Sequence, residues 1–349
     1  MATLPQIDQM PVDLSARVQG RLFDSHGRVI TDLRVSITDR CNYKCVYCRT
    51  GQVGAQYAEL TTAEYLRMIR AFVELGIEKV RLTGGEPLLR KDLLQMVREL
   101  SSWRTTSGQP LDLAITTNGH LLESLARPLK EAGLTRITVS MDAVDEATFE
   151  RVTRIHGSFH AVVRGIRAAQ QAGMGRVKVN CVLLRGFNDD QIEGFAEFAR
   201  REDVIVRFIE FMPLGEDRLW SPEIVVPLRE IVNRLSAVFP LLPLTPNSAS
   251  ETARRYGFSD GVGEIGIIAP VTQAFCGACS RVRLTSDGKI RTCLFSNFEH
   301  DLYRQMRNGA SDEGLQEYIL RAVDKKEARH HIGEPGFLKP SRSMVHIGG

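Results

Sequence analysis

Six apolar runs at residues 33–38, 79–84, 111–117, 136–141, 177–184 and 204–211 punctuate the first two thirds of the chain and predict strands. Between them, segments 61–75, 90–101, 122–132, 158–172 and 189–201 carry apolar residues at helical spacing and predict amphipathic helices. Strand and helix in alternation imply a parallel sheet. Runs that are apolar almost throughout imply that helices cover the outer face of that sheet. The fold class is therefore α/β, a partial (β/α)6 barrel that falls short of the closed eight-stranded form. Alternation stops after residue 211, where Pro222, Pro227, Pro240, Pro243 and Pro246 crowd the sequence. This places 1–20 in an N-terminal arm, 21–220 in the barrel and 221–349 in a C-terminal extension packed over its mouth.

Charge interrupts the apolar runs at Arg81, Lys178 and Arg207. One face of each strand must accept that charge, and a wet barrel interior does so more cheaply than an apolar one. Polar residues also gather where the strands end, as Thr83-Gly84-Gly85, Thr116-Thr117-Asn118-Gly119, Ser140-Met141-Asp142 and Phe211-Met212-Pro213. Any one of these is an ordinary turn or cap. Together they mark one rim, the rim where barrel active sites lie.

The chemistry is concentrated in cysteine. Cys41, Cys45 and Cys48 follow the first strand directly, with Tyr47 before the last thiol. Four cysteines normally hold an iron–sulfur cluster, so three leave one iron open to a small molecule. A structural zinc site instead wants four ligands, commonly as two close pairs. A second set of three, Cys276, Cys279 and Cys293, surrounds the run Arg281-Val282-Arg283, and zinc with His300 as fourth ligand stays open for it. The seventh cysteine, Cys181, sits inside an apolar run and reads as core. The glycines of Gly84-Gly85-Glu86-Pro87 allow a backbone to approach a ligand without a Cβ in the way.

Overall charge narrows little, because 45 basic and 42 acidic residues nearly cancel, and no nucleic-acid partner is expected. Thirty-six of the 45 basic residues are arginine, which makes planar, bidentate contacts with phosphate. No phosphate loop of the form GxxxxGK followed by Ser or Thr occurs. Neither a signal-peptide stretch nor a run long enough to span a membrane is present, and thiolates needed as ligands call for a reducing compartment. A cytoplasmic protein without membrane attachment is expected.

Cys41-x-x-x-Cys45-x-x-Cys48, Tyr47 and the Gly84-Gly85-Glu86-Pro87 turn one βα unit later resemble the radical S-adenosylmethionine (SAM) superfamily, whose partial TIM-like barrel matches the pattern above. With the second cysteine set, the Arg281-Val282-Arg283 run, the opening from Gly27 to Arg34 and the terminal Gly348-Gly349, the chain resembles the GTP 3′,8-cyclase family from about Asp24 to Gly349. It departs from that family at Arg49-Thr50, where Met-Pro often stands, and over 241–260, which shows little match. The resemblance implies two 4Fe–4S clusters, on Cys41, Cys45, Cys48 and on Cys276, Cys279, Cys293, with SAM as cofactor. It places Tyr47, Gly85, Ser140 and Met212 at SAM and sets GTP against Arg34, Arg81, Thr116, Lys178, Arg281, Val282 and Arg283. It brings Gly348 and Gly349 into the active site, implies a flavodoxin- or ferredoxin-like electron donor, and allows a homodimer. The rival readings are a radical SAM enzyme with an auxiliary cluster acting on a peptide, and a non-catalytic iron–sulfur or zinc protein.

Overall fold

The computed structural model describes residues 20–48, 55–215 and 219–348; the rest of the expected N-terminal arm, Arg49-Thr50 and Gly349 lie outside the described residues. The strands β1 (Leu22–Phe23) and β2 (Val29–Ile30) form a hairpin that leads into the barrel. There β3 (Asp32–Ser36), β4 (Lys79–Thr83), β5 (Asp112–Thr117), β6 (Arg136–Ser140), β7 (Lys178–Leu183) and β8 (Ile205–Glu210) pair parallel in sequence order. The helices α1 (Thr62–Glu74), α2 (Leu93–Ser101), α3 (Leu122–Glu131), α4 (Glu146–Thr153), α5 (Phe159–Gln171) and α6 (Ile192–Arg201) link them. All six predicted strands and all five predicted helices appear; α4, capped by Asp145 through Thr148 N, is the helix the pattern missed.

Local chemistry explains these elements. Thr61 and Glu64 form a reciprocal capping box at the start of α1, and Tyr65, Met68, Ile69 and Phe72 make its buried face. Along β3 the outward Leu33 and Val35 are fully buried beneath the helices, while Arg34 faces the interior cavity described below. Period-2 alternation thus sorts apolar residues outward to the helices and charge inward.

The C-terminal extension adds strands to both edges of the barrel sheet. After α7 (Leu228–Val238), strands β9 (Leu241–Leu244), β10 (Ala253–Phe258) and β11 (Glu264–Ile268) follow, and β11 pairs parallel with β8. On the opposite side β12 (Arg281–Leu284) pairs parallel with β3, and β13 (Lys289–Arg291) and β14 (His300–Asp301) continue antiparallel. One 12-stranded sheet results, in the order β14-β13-β12-β3-β4-β5-β6-β7-β8-β11-β10-β9. A six-stranded parallel sheet leaves two edges of unpaired backbone groups, and β11 and β12 satisfy one each. The segment between β11 and β12 carries Cys276 and Cys279 from one barrel edge to the other. Three helices complete the chain, α8 (Leu302–Arg307), α9 (Asp312–Asp324) packed on α1, and α10 (Met344–Ile347) packed on β3.

Candidate active site

The loop after β3 that carries the first three cysteines lies backbone to backbone on the Gly84-Gly85 turn. Gly85 N donates to Thr38 O at 2.8 Å and Glu86 N to Arg40 O at 2.7 Å. A Cβ on Gly84 would stand 2.2 Å from Thr38 O, and one on Gly85 2.2 Å from Arg40 O. The sequence assigned these glycines to approach of a ligand; their first duty is approach of the protein's own cysteine loop. Glu86 then joins this turn to β5, since Oε1 accepts from Thr117 Oγ1 at 2.7 Å and Oε2 from Asn118 N at 2.7 Å. Asn118 Nδ2 donates to Asn42 Oδ1 at 2.7 Å, and Tyr47 Oη to Asp142 Oδ2 at 2.7 Å. From below, Lys44 N and Val46 N donate to Thr153 O and Val152 O at the end of α4. Much of the polar rim therefore acts as struts for the cysteine loop. Ser140 faces the same interior, half-buried and in register with Asn180.

The barrel interior opens into a cavity of about 1040 Å³ including its mouth, lined in part by Cys276, Cys279 and Cys293. Of the predicted substrate residues, Arg34, Arg81, Thr116, Arg281 and Arg283 line it, and so does Met212. Sheet register explains the grouping: Arg283 is the neighbour of Arg34 on β3, and Arg34 of Arg81 on β4. Neighbouring strands lie about 4.8 Å apart, so three guanidinium stems start side by side. Arg81 Nη1 reaches Thr116 Oγ1 at 3.1 Å and Thr138 Oγ1 at 3.2 Å; Arg207 Nε reaches Asn180 Oδ1 at 3.0 Å.

Two predicted residues stand apart. Lys178 opens on a smaller neighbouring cavity of about 320 Å³ that shares Arg207 with the first. Val282 turns its side chain into the core at 1% exposure, because alternation along β12 sends Arg281 and Arg283 one way and Val282 the other; only its backbone lies beside the site. Gly348 packs against Thr83 and Ser36, and its carbonyl, like that of Ile347, accepts from Arg283 Nη1. Lys326, beyond α9, also lines the large cavity; no motif in the sequence singled it out.

Among the described residues no Asp or Glu lines the large cavity, whereas Arg34, Arg81, Arg207, Arg281, Arg283 and Lys326 do. Burial first, and then the neighbouring arginines, lower the pKa of Arg207 to about 9 and that of Arg283 well below the usual arginine range. Burial lowers Arg34 to about 10, although Asp32 opposes it, and Arg34 Nε is buried with no hydrogen-bond partner. Burial likewise lowers Lys178 to about 8, helped by Arg207. Crowded like charges in low dielectric are costly until an anion arrives. An anion entering this cavity would relieve that repulsion.

The thiols fit cluster ligation. None of the seven cysteines, all of them described residues, is in a disulfide, and the six in the two sets are half-buried. Burial disfavours the thiolate of Cys279, yet Arg281 and Lys326 outweigh it and bring the thiol down to about 7. At Cys45 burial and then Asp142 and the two other thiols push the pKa well up, so that set needs a positive metal to ionise together. Zinc with His300 is not assembled: among the described residues no three His, Cys, Asp or Glu side chains converge on one metal position. Thiolates on separate corners of a cluster need no such convergence. Among the described residues, no helix is long and apolar enough to cross a membrane.

Residues 35–199 match the radical SAM superfamily model, and residues 204–332 match the model described as Molybdenum Cofactor Synthesis C. Among solved structures, anSMEcpe with bound AdoMet shares the fold at a TM-score of 0.60 and 15% identity, over 85% of this chain and 81% of that one. Streptococcus suis SuiB does so at 0.57 and 12%, over 86% and 67%. The GTP 3′,8-cyclase of Acidothermus cellulolyticus is 43% identical over 318 residues, 88% of this chain and 87% of its own. That of Syntrophomonas wolfei is 39% identical over 331 residues, 94% of this chain and the whole of its own, and that of Xanthomonas axonopodis is 43% identical over 335, 93% and 98%. Two family models in tandem and full-length relatives at this identity lead to one conclusion: the chain belongs to the GTP 3′,8-cyclase family of the radical SAM superfamily.

Proposed function

We propose that the protein converts GTP to (8S)-3′,8-cyclo-7,8-dihydroguanosine 5′-triphosphate, the opening step of molybdenum cofactor synthesis. The observation that carries this reading is the arginine-rich cavity, where five arginines share the lining with three half-buried thiols. A triphosphate supplies the missing negative charge, and charge-assisted bonds from arginine hold it strongly. Arg34, Arg81, Thr116, Arg281 and Arg283 bind GTP there, with the Val282 backbone beside them and Lys178 at the far end of the phosphates.

Cys41, Cys45 and Cys48 would hold one 4Fe–4S cluster, and Cys276, Cys279 and Cys293 a second. Bound there, the first cluster with SAM would supply a 5′-deoxyadenosyl radical able to take the 3′ hydrogen of GTP, the second would bind guanine, and the reductant would supply one electron for SAM cleavage and one more, with a proton, to complete the dihydro ring. Tyr47, Gly85 and Ser140 orient SAM, and Met212 packs near its adenine. The residues of the large cavity hold the ribose and the base so that C8 faces C3′, and such fixed geometry lowers the barrier to ring closure. Gly348, which lies against Thr83 and Ser36, leaves room beside the ribose because it has no side chain, and with Gly349 it takes the catalytic role that the resemblance implies. The barrel and the extension divide near residue 220, so that each contributes one cluster. The reductant is a flavodoxin- or ferredoxin-like protein in the cytoplasm, where thiols stay reduced, and a homodimer is compatible with this site.

The test is an anaerobic assay of reconstituted protein with dithionite, SAM and GTP, following nucleotides by mass spectrometry. Deoxyadenosine formed together with an isomer of GTP supports the proposal. Deoxyadenosine with GTP unchanged directs the radical to another substrate, such as a peptide.

A further inference from the structure

The second cysteine set is assembled from two separate pieces of chain, with Cys276 and Cys279 before β12 and Cys293 after β13. Something must hold these pieces in register, and the structure supplies a clamp from the other end of the sequence. Arg28, at the start of β2, is buried with its side chain 7% exposed, beside Asp24, whose side chain is fully buried. Asp24 Oδ1 accepts from His26 N at 2.9 Å and Arg28 N at 3.0 Å, which fixes the β1–β2 turn. Asp24 Oδ2 accepts from Arg28 Nε at 2.6 Å, which aims the guanidinium. Arg28 Nη1 donates to Cys276 O at 2.9 Å and Ala328 O at 2.8 Å, and Nη2 donates to Glu327 O at 2.7 Å.

Each carbonyl in this arrangement leads to a cysteine. That of Cys276 also accepts from Cys279 N at 3.1 Å, so Arg28 grips the atom that closes the turn between these two thiols. Residues 326–328 reach the third. Glu327 Oε2 accepts from Thr292 Oγ1 at 2.7 Å, and Lys326 Nζ donates to Thr292 O, immediately before Cys293. One guanidinium thus connects Cys276, directly, to Cys293, through Glu327 and Thr292. Lysine cannot replace it, because its single ammonium lacks the planar fork that spans a carboxylate and three carbonyls.

We infer that Arg28, aimed by Asp24, is a positioning residue for the second cluster: it fixes the spacing of Cys276 and Cys279 relative to Cys293 and is not required by the first cluster. This rests on the two-cluster reading above, and the experiment separates the two. Full-length wild type, Arg28→Ala, Arg28→Lys and the milder Thr292→Val are reconstituted anaerobically. Iron per chain and the reduced clusters' EPR spectra, with and without SAM, are then measured. Wild type is expected to hold about eight irons. Arg28→Ala and Arg28→Lys are expected to hold about four, with the SAM-sensitive signal of the first cluster retained, and Thr292→Val an intermediate content. The retained signal reports an intact barrel, so a general folding defect is told apart from loss of one cluster. Wild type with only about four irons overturns the two-cluster reading itself. Arg28 variants that keep wild-type iron, or that lose both signals in proportion while Thr292→Val keeps wild-type iron, overturn the assignment of Arg28.

Discussion

Tyr47 Oη donates to Asp142 Oδ2 at 2.7 Å, which bolts the loop of the first three cysteines to the segment just past β6 on the barrel rim. The other carboxylate oxygen, Oδ1, accepts from Val182 N at 2.8 Å on β7, so one buried carboxylate spans three parts of the rim. Burial nonetheless pushes the Asp142 pKa up to about 6, against both of these bonds. A carboxylate so placed depends on every donor it has.

Tyr47→Phe removes one donor and leaves Asp142 buried with less compensation. A buried acceptor deprived of a partner costs about 1–3 kcal/mol. The expected outcome is a loss of that size in apo-protein stability by urea unfolding, with faster iron loss from the first cluster. Unchanged stability would mean that the phenol contributes nothing to holding the loop.

Glu86 gives a pH signature. Burial raises its pKa from 4.5 to about 7, although Asn118 N, Thr117 Oγ1 and Leu88 N all donate to it. A raised folded-state value means that stability from this group is fully present below about 4.5 and is lost as pH rises through 7. Comparison with Glu86→Gln isolates the group, because the other carboxylates are common to both proteins. Chemical unfolding at intervals from pH 4.5 to 8 should show the stability difference moving toward the Gln variant as pH rises, by up to roughly 3 kcal/mol. A constant difference would remove Glu86 ionisation as the cause.

The barrel was legible because each of its strands carries its own instructions. Leu33 and Val35 alternate with Asp32 and Arg34, and Val80 and Leu82 flank Arg81, so the inner and outer faces can be read before any neighbour is known. The extension is different. Ile265, Ile267 and Ile268 mark β11 as a strand, yet nothing local says that it pairs parallel with β8 while β12 takes the opposite edge. The two cysteine sets were legible from their spacing, whereas Lys326 and Arg28 were not. They act on Thr292 and Cys276 across 34 and 248 residues, and only the folded chain brings them there. Gly85 was singled out for ligand approach, and the contact that first demands a glycine is with Arg40 O.

Arg34 should show substrate binding and stability pulling in opposite directions. Its guanidinium is buried, attracted by Asp32 and repelled less strongly by Arg81 and Arg281, and among the described residues Nε has no hydrogen-bond partner. Replacement by methionine keeps the apolar stem and removes the cost of burying the charge, which outweighs the attraction of Asp32. The apo protein is expected to be as stable as wild type or more so, while GTP binds about 10–100-fold more weakly for the loss of one charge-assisted contact. Thermal unfolding with and without GTP reads both quantities, and SAM binding serves as the control. Wild-type GTP affinity in Arg34→Met would place the triphosphate elsewhere.

The C-terminal tail tests whether the end of the chain belongs to the chemistry or only to the fold. Gly348 has φ +71, and a Cβ there would stand 2.6 Å from Thr83 Cγ2 at the end of β4. Its carbonyl and that of Ile347 accept from Arg283, a residue that also lines the proposed GTP cavity. The tail is therefore fastened to the substrate wall and threaded past the strand that precedes the Gly84-Gly85 turn. Gly348→Ala adds a methyl group where backbone strain and Thr83 both oppose it, so the tail must shift, while all six cysteine ligands stay untouched. The expected result is wild-type iron content, GTP affinity within a few-fold of wild type, and turnover reduced by at least about tenfold, since small displacements of oriented groups cost rate steeply. Deleting Gly349 alone should give the same pattern. Wild-type turnover in both variants would make the tail a structural plug; loss of iron along with activity would make it a support for the clusters.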